Sequence, residues 1–377
     1  MGQYLCDEIR LQVGSQIVDT VYSYYLKMWD ELSNKHGRVL SKGYGEMTMK
    51  GSRKQRVQWS RRARSVFVPI QMFFMRTSGN ALPLIALSFH GVKITVKTNS
   101  VEDCIVNKDS TFNTLDDPPV TSDFRTYIRE EVDAITKGGP MPIATAEANT
   151  IDKPFAASYC RVELSVGYVY LGVAERNKFA EASFEILIDQ VQKESATSLK
   201  NNEPVTIDNI GFNHCVQELV WAVTVNRYPY TSYDVNLIGD EKMDFRGIMD
   251  ADQASFRDTL QICQLKLNNS KRFTHQDGDD VPATYFRQLE PYLHHTRVPD
   301  AGVYAYSFAI TPESNQPSGS ANFSRIDNAS FKVTPNLDGK IDDLGNKVDV
   351  TGTLHMFARN WNVFRISLGL GGLVWAS

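Results

Sequence analysis

The chain has 377 residues, a net charge of −4, 22% charged and 42% hydrophobic residues, the balance of an ordinary globular protein with no demand for nucleic acid or an acidic membrane surface. Its length exceeds the roughly 250–300 residues that one hydrophobic core serves, so two cores are expected. No apolar run nears the ~20 residues of a membrane helix, Asp7, Glu8 and Arg10 stand where a secretion signal needs apolar residues, and Cys6, Cys104, Cys160, Cys215 and Cys263 are scattered with no C-x-x-C pair, as reduced thiols are.

Residues 7–13 and 16–21 read as a hairpin around Gly14-Ser15. An amphipathic helix follows, with Val18, Val21, Tyr22, Tyr25, Met28, Trp29 and Leu32 at helical spacing and Asn34 and Gly37 ending it. Residues 50–64 then gather Lys50, Arg53, Lys54, Arg56, Arg61, Arg62 and Arg64 around Trp59. Basic residues beside an aromatic can hold phosphate and stack bases. With a negative net charge and no second basic patch, a solvated loop is the favoured reading.

Residues 64–97 give an apolar strand, a Gly/Asn turn and a longer strand. Residues 99–158 form a long polar insertion of the kind that decorates a surface. It holds a short helix capped by Thr121 or Ser122 and closed by Gly138-Gly139-Pro140. A strand over 161–171, with Val162, Leu164, Val166, Tyr168 and Tyr170 on one side, closes a first domain. Residues 174–184 are rich in helix formers and charge and connect it to a second.

The second domain opens with strands near 185–193, 205–212 and 217–226 and a Tyr/Asp-rich loop over 227–254. A hairpin over 256–273 turns at Asn268-Asn269-Ser270, and a short helix over 283–290 is cut by Pro291. Then Tyr304, Tyr306, Phe308 and Ile310 alternate with Val303, Ala305, Ser307 and Ala309, the period of a strand with a buried face. Breakers over 311–319 turn the chain. A second strand over 320–334 places Phe323, Arg325, Asp327, Ala329, Phe331 and Val333 on one side. Arg325 and Asp327, two apart on that face, are expected to pair and to join the two sheets or neighbouring subunits. A loop over 335–352 and a strand from Thr353 bring the second domain to eight strands, the count of a jelly roll.

The chain also repeats itself. A shift of 237 positions lays Val66 on Val303 and Ile94 on Phe331 without a gap. Residues 8–21 answer 260–273, and 161–171 answer 353–364. A repeat of strands this long argues for two copies of one all-β domain, 1–178 and 179–377.

Residues suited to chemistry are few. His294-His295, near Asp279, Asp280 and Glu290, invite a metal site of the cupin kind. Adjacent histidines diverge, however, to opposite faces on a strand and by about 100° on a helix, so surface histidines are favoured. Asp338, Asp342 and Asp343 lack the order of a calcium loop. The glycosylation sequons at Asn268, Asn322 and Asn328 are weak signals without a secretion signal.

Four stretches carry a resemblance. PSGSANFSRIDNASF (317–331) resembles the P-S-G-x-x-N-F-S-R-I-D-N-A strand of the major capsid proteins of nucleocytoplasmic large DNA viruses. NWNVFRISLGLGGLVWAS resembles that family's N-Y-N-V-L-R-I-x-x-G-x-G-G-L-A-Y ending. VFVPIQMFFMRTSGNALPLIALSFHGVKI and DEIRLQVGSQIVDTVYSYYLKMWDEL resemble its V-P-L-x-F block and its E-V-x-L-E-I-G-G-Q-x-I-D segment with the following helix. The resemblance implies an all-β double jelly roll with short helices in loops. It makes Pro317, Gly319, Asn322, Phe323, Ser324, Arg325, Ile326, Asp327, Asn328, Gly371 and Gly372 a structural signature.

It further implies a homotrimer, a pseudo-hexagonal capsomer of an icosahedral shell. Neighbouring capsomers, minor capsid proteins and an inner viral membrane would be its partners. No specific nucleic-acid contact, cofactor, metal or catalytic residue is expected. The virion, assembled in the host cytoplasm, would be its place. Loops 34–64, 99–158, 227–254, 277–301 and 335–352 are the candidates for the outward end. A carbohydrate-binding jelly roll, stacking sugars on Tyr228, Tyr230 and Tyr233, is the alternative, and a cupin-like enzyme the third. One departure stands out. Nothing before Asp7 answers 185–226, and the family's N-terminal Y-R-R-x-T-x-F strands are absent. The chain is therefore expected to be incomplete as given, or to take those strands from a separate polypeptide.

Overall fold

The computed structural model describes residues 2–34, 67–99, 163–226, 245, 258–274, 280–299, 302–337 and 351–375. The basic stretch 50–64, the helix expected after Thr121, the tyrosines at 228–233 and the aspartates at 338–343 lie outside these residues, as does most of the proposed outward loops.

After a helical turn α1 (Gly2–Leu5), strands β1 (Cys6–Val13) and β2 (Gln16–Tyr22) form the expected hairpin. Gly14 turns it at a φ of 59°, in the left-handed region that glycine enters without strain. Helix α2 (Ser23–Ser33) buries Tyr25, Leu26, Met28, Trp29 and Leu32 and ends at Asn34, as the spacing predicts. Strand β3 (Val92–Thr98) pairs with the other edge of β1, giving the order β2-β1-β3.

The apolar run before β3 is not the strand that its alternation predicts. Residues 67–72 lie in no strand or helix. Helix α3 (Phe73–Arg76) and 3-10 turns at Ser78–Asn80 and Leu84–Ala86 follow. Pro69 and Pro83 remove two ladder donors, and Gln71 sits at a φ of 59°. Arg76 closes the bend by donating from Nε (3.2 Å) and Nη2 (3.0 Å) to the Gln71 carbonyl. The expected strand over 161–171 also fails to form among the described residues. Residues 163–170 lie in no strand or helix, and Leu164, Val166, Tyr168 and Tyr170 are exposed.

Helix α4 (Val173–Glu181) stands where helix formers predict it and leads into β4 (Phe184–Lys193). Next come β5 (Thr197–Lys200), β6 (Val205–Ile207) and β7 (Cys215–Asn226). The hairpin β8 (Leu260–Leu267) and β9 (Ser270–Lys271) turns at Asn268 and Asn269, both at positive φ. A π turn (Tyr285–Leu289) runs into α5 (Glu290–His294). Pro291 lies in the first turn of α5, where its missing N–H costs nothing, and does not cut the helix as expected. Strands β10 (Val303–Ser307), β11 (Ala321–Asn322), β12 (Ala329–Pro335), β13 (Thr351–Ser367) and β14 (Leu370–Leu373) complete the chain.

The eight strands expected here are eleven, because β5, β11 and β14 are short pieces that a period of two does not separate. They form two sheets. The larger has β13 at its centre, paired with β4, β5, β7 and β14, while β10 and β11 pair with β7. The smaller runs β6-β12-β8-β9. Between them lies a core in which Trp221 meets Tyr304, Phe286 and Phe331. Alternate residues of the same strands, Val220, Ala222, Val303, Ala305 and Phe357, face the opposite way. There they pack with β1, β2 and α2 in a second core. The larger sheet is thus buried on both faces, which is why β10 reads as an uninterrupted buried run. Among the described residues Cys6, Cys215 and Cys263 are free thiols.

The stretch expected as one strand over 320–334 is a corner. Ala321 and Asn322 pair with Val216 and Cys215 in the larger sheet. The chain then turns through a 3-10 segment (Phe323–Arg325), and β12 continues in the smaller sheet. Asn322, Phe323, Ser324, Ile326 and Asn328 contribute side chains to this corner. Asn322 accepts from Ser324 N (3.1 Å), and Ser324 Oγ accepts from His214 N (2.8 Å). Asn268 Oδ1 accepts from Asp327 N and Asn328 N (3.1 and 3.2 Å), and Asn328 Nδ2 donates to Asn269 Oδ1 (3.3 Å). Phe323 is buried and Ile326 packs beside the core. A side chain at Gly319 (φ 146°) would fall 2.5 Å from the Phe308 carbonyl oxygen. Pro317 is exposed just ahead of that turn.

Arg325 and Asp327 do not pair. Both are exposed, because the turn takes them off the strand face on which they were expected to meet. Asp327 serves through its backbone N–H, which any residue keeps. Asp327→Ala is therefore expected to change stability by less than about 0.5 kcal/mol. A drop in thermal midpoint equivalent to more than about 2 kcal/mol would restore the buried pair.

Candidate functional site

The face of the larger sheet that meets β1, β2 and α2 carries charge where apolar residues would be expected. Glu218 shares that face of β7 with Val220 and Ala222, and Arg359 shares that face of β13 with Phe357. A bulge in the ladder directly after Arg359 lies at this point. Arg359, 2% exposed, donates from Nε to Asp189 Oδ2 (2.9 Å) and from Nη1 to Glu218 Oε1 (3.2 Å). Arg76, on α3 of the first half, reaches the same Asp189 oxygen. Both guanidiniums lie over the Trp29 ring of α2, at 4.8 and 4.5 Å from its centre. Two cations from opposite halves therefore converge on one carboxylate and one indole.

Burial alone would push the Asp189 carboxyl up. The Arg76 and Arg359 guanidiniums outweigh it and hold the group below its ordinary value. Burial would likewise lower Arg359, and Asp189 and Glu218 reverse that and keep it charged. Asp19 of β2 has the opposite fate. It accepts from Thr20 N (2.9 Å) and Val191 N (3.2 Å). Burial, reinforced by nearby Asp189, raises it to about 7.

A carboxyl raised in the folded protein contributes stability that is complete below its ordinary value of about 3.9 and is lost as pH rises through about 7. Asp19→Asn, which can keep both acceptor contacts, should flatten the stability profile between about pH 4 and 7. Above pH 7 it should exceed the unsubstituted chain by about 1 kcal/mol or more. Identical melting temperatures of the two chains at pH 5 and at pH 8 would refute this.

The seam is closed elsewhere by polar contacts. Asn80 and Asn315 exchange amide hydrogen bonds (3.1 and 3.2 Å), and Asn80 Nδ2 also reaches the Leu187 carbonyl (3.3 Å). Gln190 Nε2 donates to the Val18 carbonyl. The C-terminal hairpin of β13 and β14 docks on the first half through the signature glycines. The His90 ring lies within hydrogen-bond reach of both Gly371 O (3.0 Å) and Gly371 N (3.2 Å), and Leu373 N donates to Gln16 Oε1 (3.0 Å). A side chain at Gly371 would fall 2.6 Å from Leu87 and 2.9 Å from Phe364, and one at Gly372 3.1 Å from Gln16 Oε1. Gly371 and Gly372 thus belong to the seam, while residues 317–328 build the separate corner.

The histidines expected at the surface divide. His294 rests against the Ile310 carbonyl (2.8 Å). His295 instead is buried, because the chain leaves α5 there in an extended conformation that turns the ring inward. No group of three or more His, Cys, Asp or Glu suited to a metal ion occurs among the described residues. Sequence reading missed Arg76, Asp189, Glu218 and Arg359. The available signal was a charge inside an apolar strand, as in EILIDQV, CVQELVWAV and LHMFARNW.

Comparison with known proteins covers the whole chain. The profile described as major capsid protein N-terminus matches residues 1–172, and that described as large eukaryotic DNA virus major capsid protein matches 175–372. The major capsid protein of Pyramimonas orientalis virus is 30% identical, covering 100% of this chain and 78% of its own length. That of Paramecium bursaria Chlorella virus 1 is 28% identical, with 100% and 80% covered. The quasi-atomic model of the PBCV-1 virus capsid superposes with a TM-score of 0.59 at 22% identity, over 100% of this chain and 84% of that one. The last likeness shows the double jelly-roll fold.

Proposed function

This chain belongs to the major capsid proteins of large eukaryotic DNA viruses, and on that premise we propose that it builds the viral shell as a homotrimer of pseudo-hexagonal outline. The observation that carries this reading is the larger sheet with a core on each face, crossed by the Arg76–Asp189–Arg359 seam. On this reading the chain is one block with two lobes, divided at 178/179. Three such blocks present six similar lobes, the arrangement that tiles a hexagonal lattice.

The exposed apolar residues Leu164, Val166, Tyr168 and Tyr170 supply surface of the kind that subunit contacts cover. Those contacts should bury on the order of 2,000 Å² or more, as in obligate oligomers. Shape and burial are the whole mechanism, and no catalytic residue, cofactor or specific nucleic-acid contact is needed. Neighbouring capsomers and minor capsid proteins would meet the trimer at its rim, with an inner viral membrane beneath and assembly in the host cytoplasm. Purified chain should elute at three chain masses and show pseudo-hexagonal particles by negative stain. Monodisperse monomer at micromolar concentration would overturn the trimer.

A further inference from the structure

Strand β3 repeats β12. The shift of 237 positions lays Val92–Thr98 on Ala329–Pro335, the limits of the two strands. Each lies beside a hairpin, β3 beside β1 and β2, and β12 beside β8 and β9. The orders β3-β1-β2 and β6-β12-β8-β9 therefore differ by one strand. The outer edge of β12 is taken by β6, which pairs with Phe331, Lys332 and Val333, and Ile210 N past its end donates to the Ala329 carbonyl (2.9 Å). The outer edge of β3 pairs with no strand among the described residues. The side chains register the difference. Phe331 and Val333 are 1% and 0% exposed, whereas Ile94 and Val96 in the same places are only partly buried. Their partners across the ladder on β1, Leu11 and Ile9, are buried, so the cover fails on the outer side alone. An open edge also leaves alternate N–H and C=O groups without a ladder.

Charge decides what such an edge accepts. The other face of β3 carries Lys93, Thr95 and Lys97, all exposed. Lys97 Nζ lies 2.6 Å from Asp7 Oδ2 on β1, and Lys93 has no ion pair among the described residues. A second copy pairing antiparallel about Thr95 would set Lys93 against Lys97 twice, and like charges directly opposite are destabilising. Lysines on an edge strand guard it in this way against its own kind. A strand with carboxylates at those places would meet them favourably. Strand β6 shows the fitting pattern. Val205 and Ile207 pack against the core, and Thr206 between them is exposed. Asp208, also exposed, continues the register one place further, opposite Ser330, the counterpart of Lys93.

We propose that the outer edge of β3 is a docking site for an extended segment of another protein, added antiparallel, with apolar residues opposite Ile94 and Val96 and carboxylates opposite Lys93 and Lys97. Backbone bonds to the open edge give affinity, and the two faces of the added strand give specificity. The site goes beyond the trimer and does not depend on it. The probe is a peptide of this chain's own Glu203–Ile210 carrying Pro204→Glu, the position that stands opposite Lys97 when Ile207 stands opposite Ile94. It is titrated into the full chain while hydrogen exchange of residues 92–98 is followed. The alternate amides that stay out of the β1 ladder should exchange freely in the chain alone and gain about tenfold protection with the peptide. A peptide with Val205→Ser and Ile207→Ser should give none, and a Lys93→Glu chain should need about fivefold more of the first peptide. Full protection of those amides without peptide, equal protection by the serine peptide, or no protection by either overturns the site. Equal affinity of the Lys93→Glu chain overturns its preference for carboxylates. Elution volume in the same samples reads the oligomer separately: a monomer whose edge takes the peptide overturns the trimer and leaves the site standing.

Discussion

Asp189→Ala should cost about 3–5 kcal/mol, the penalty for stranding a buried charge. Arg359 and Arg76 both lose the oxygen on which they converge, and neither can move to water without leaving the Trp29 ring. Whole domains are stable by only about 5–15 kcal/mol, so this single change removes a large share. Salt should not rescue it, because a buried pair is screened far less than an exposed one. Asp189→Asn keeps an acceptor of the same shape and should cost less. Denaturant midpoints of the three chains decide the matter. A loss below about 1 kcal/mol for Asp189→Ala would mean that Glu218 alone satisfies the guanidiniums.

Gly302→Ala is expected to rival it, for a reason of space. Gly302 opens β10 at a φ of 73°, and a side chain there would lie 1.7 Å from the Phe245 carbonyl oxygen and 2.3 Å from its carbon. Left-handed strain alone is about 1–2 kcal/mol for a residue with a Cβ. The clash adds to it, because backbone cannot swing aside as a side-chain tip can. Any shift passes into β10, whose Val303 and Ala305 serve one core and whose Tyr304 and Tyr306 serve the other. Gly371→Ala is the control, since it meets the ends of the Leu87 and Phe364 side chains and should be milder. Soluble yield and thermal midpoint should rank Gly302→Ala below Gly371→Ala. The reverse order would refute the spatial argument.

What could be read from the chain alone follows from the range of each cause. The hairpin at Gly14, helix α2, the Asn268-Asn269 turn and the long strand β13 rest on neighbours in sequence, and each stands where its periodicity places it. The run over 66–75 alternates as a strand does, but Pro69 and the bend at Gln71 act against any ladder. At the corner, the alternation of Phe323, Arg325 and Asp327 continues straight through a change of sheet, so periodicity could not reveal the turn. The seam was beyond reach for a different reason. Arg359 finds Asp189 across 170 positions and Arg76 finds it across 113, and no local pattern pairs them.

The central place of β13 has a consequence for how the chain acquires its structure. Strands β4, β5, β7 and β14 all pair with it, and Phe357, Phe364 and Met356 on its two faces belong to both cores. Residues 351–367 are synthesised after every strand they pair with except β14. Until they appear, β1, β2 and α2 have only part of the layer they must cover, and Trp221 and Val220 lie in a sheet without its middle. Neither half can mature in the order in which it emerges from the ribosome. Folding is therefore a late event over long loops, of the slow kind that leaves apolar strands open to aggregation. A protein made in the quantity a shell requires carries that exposure in every unfinished copy.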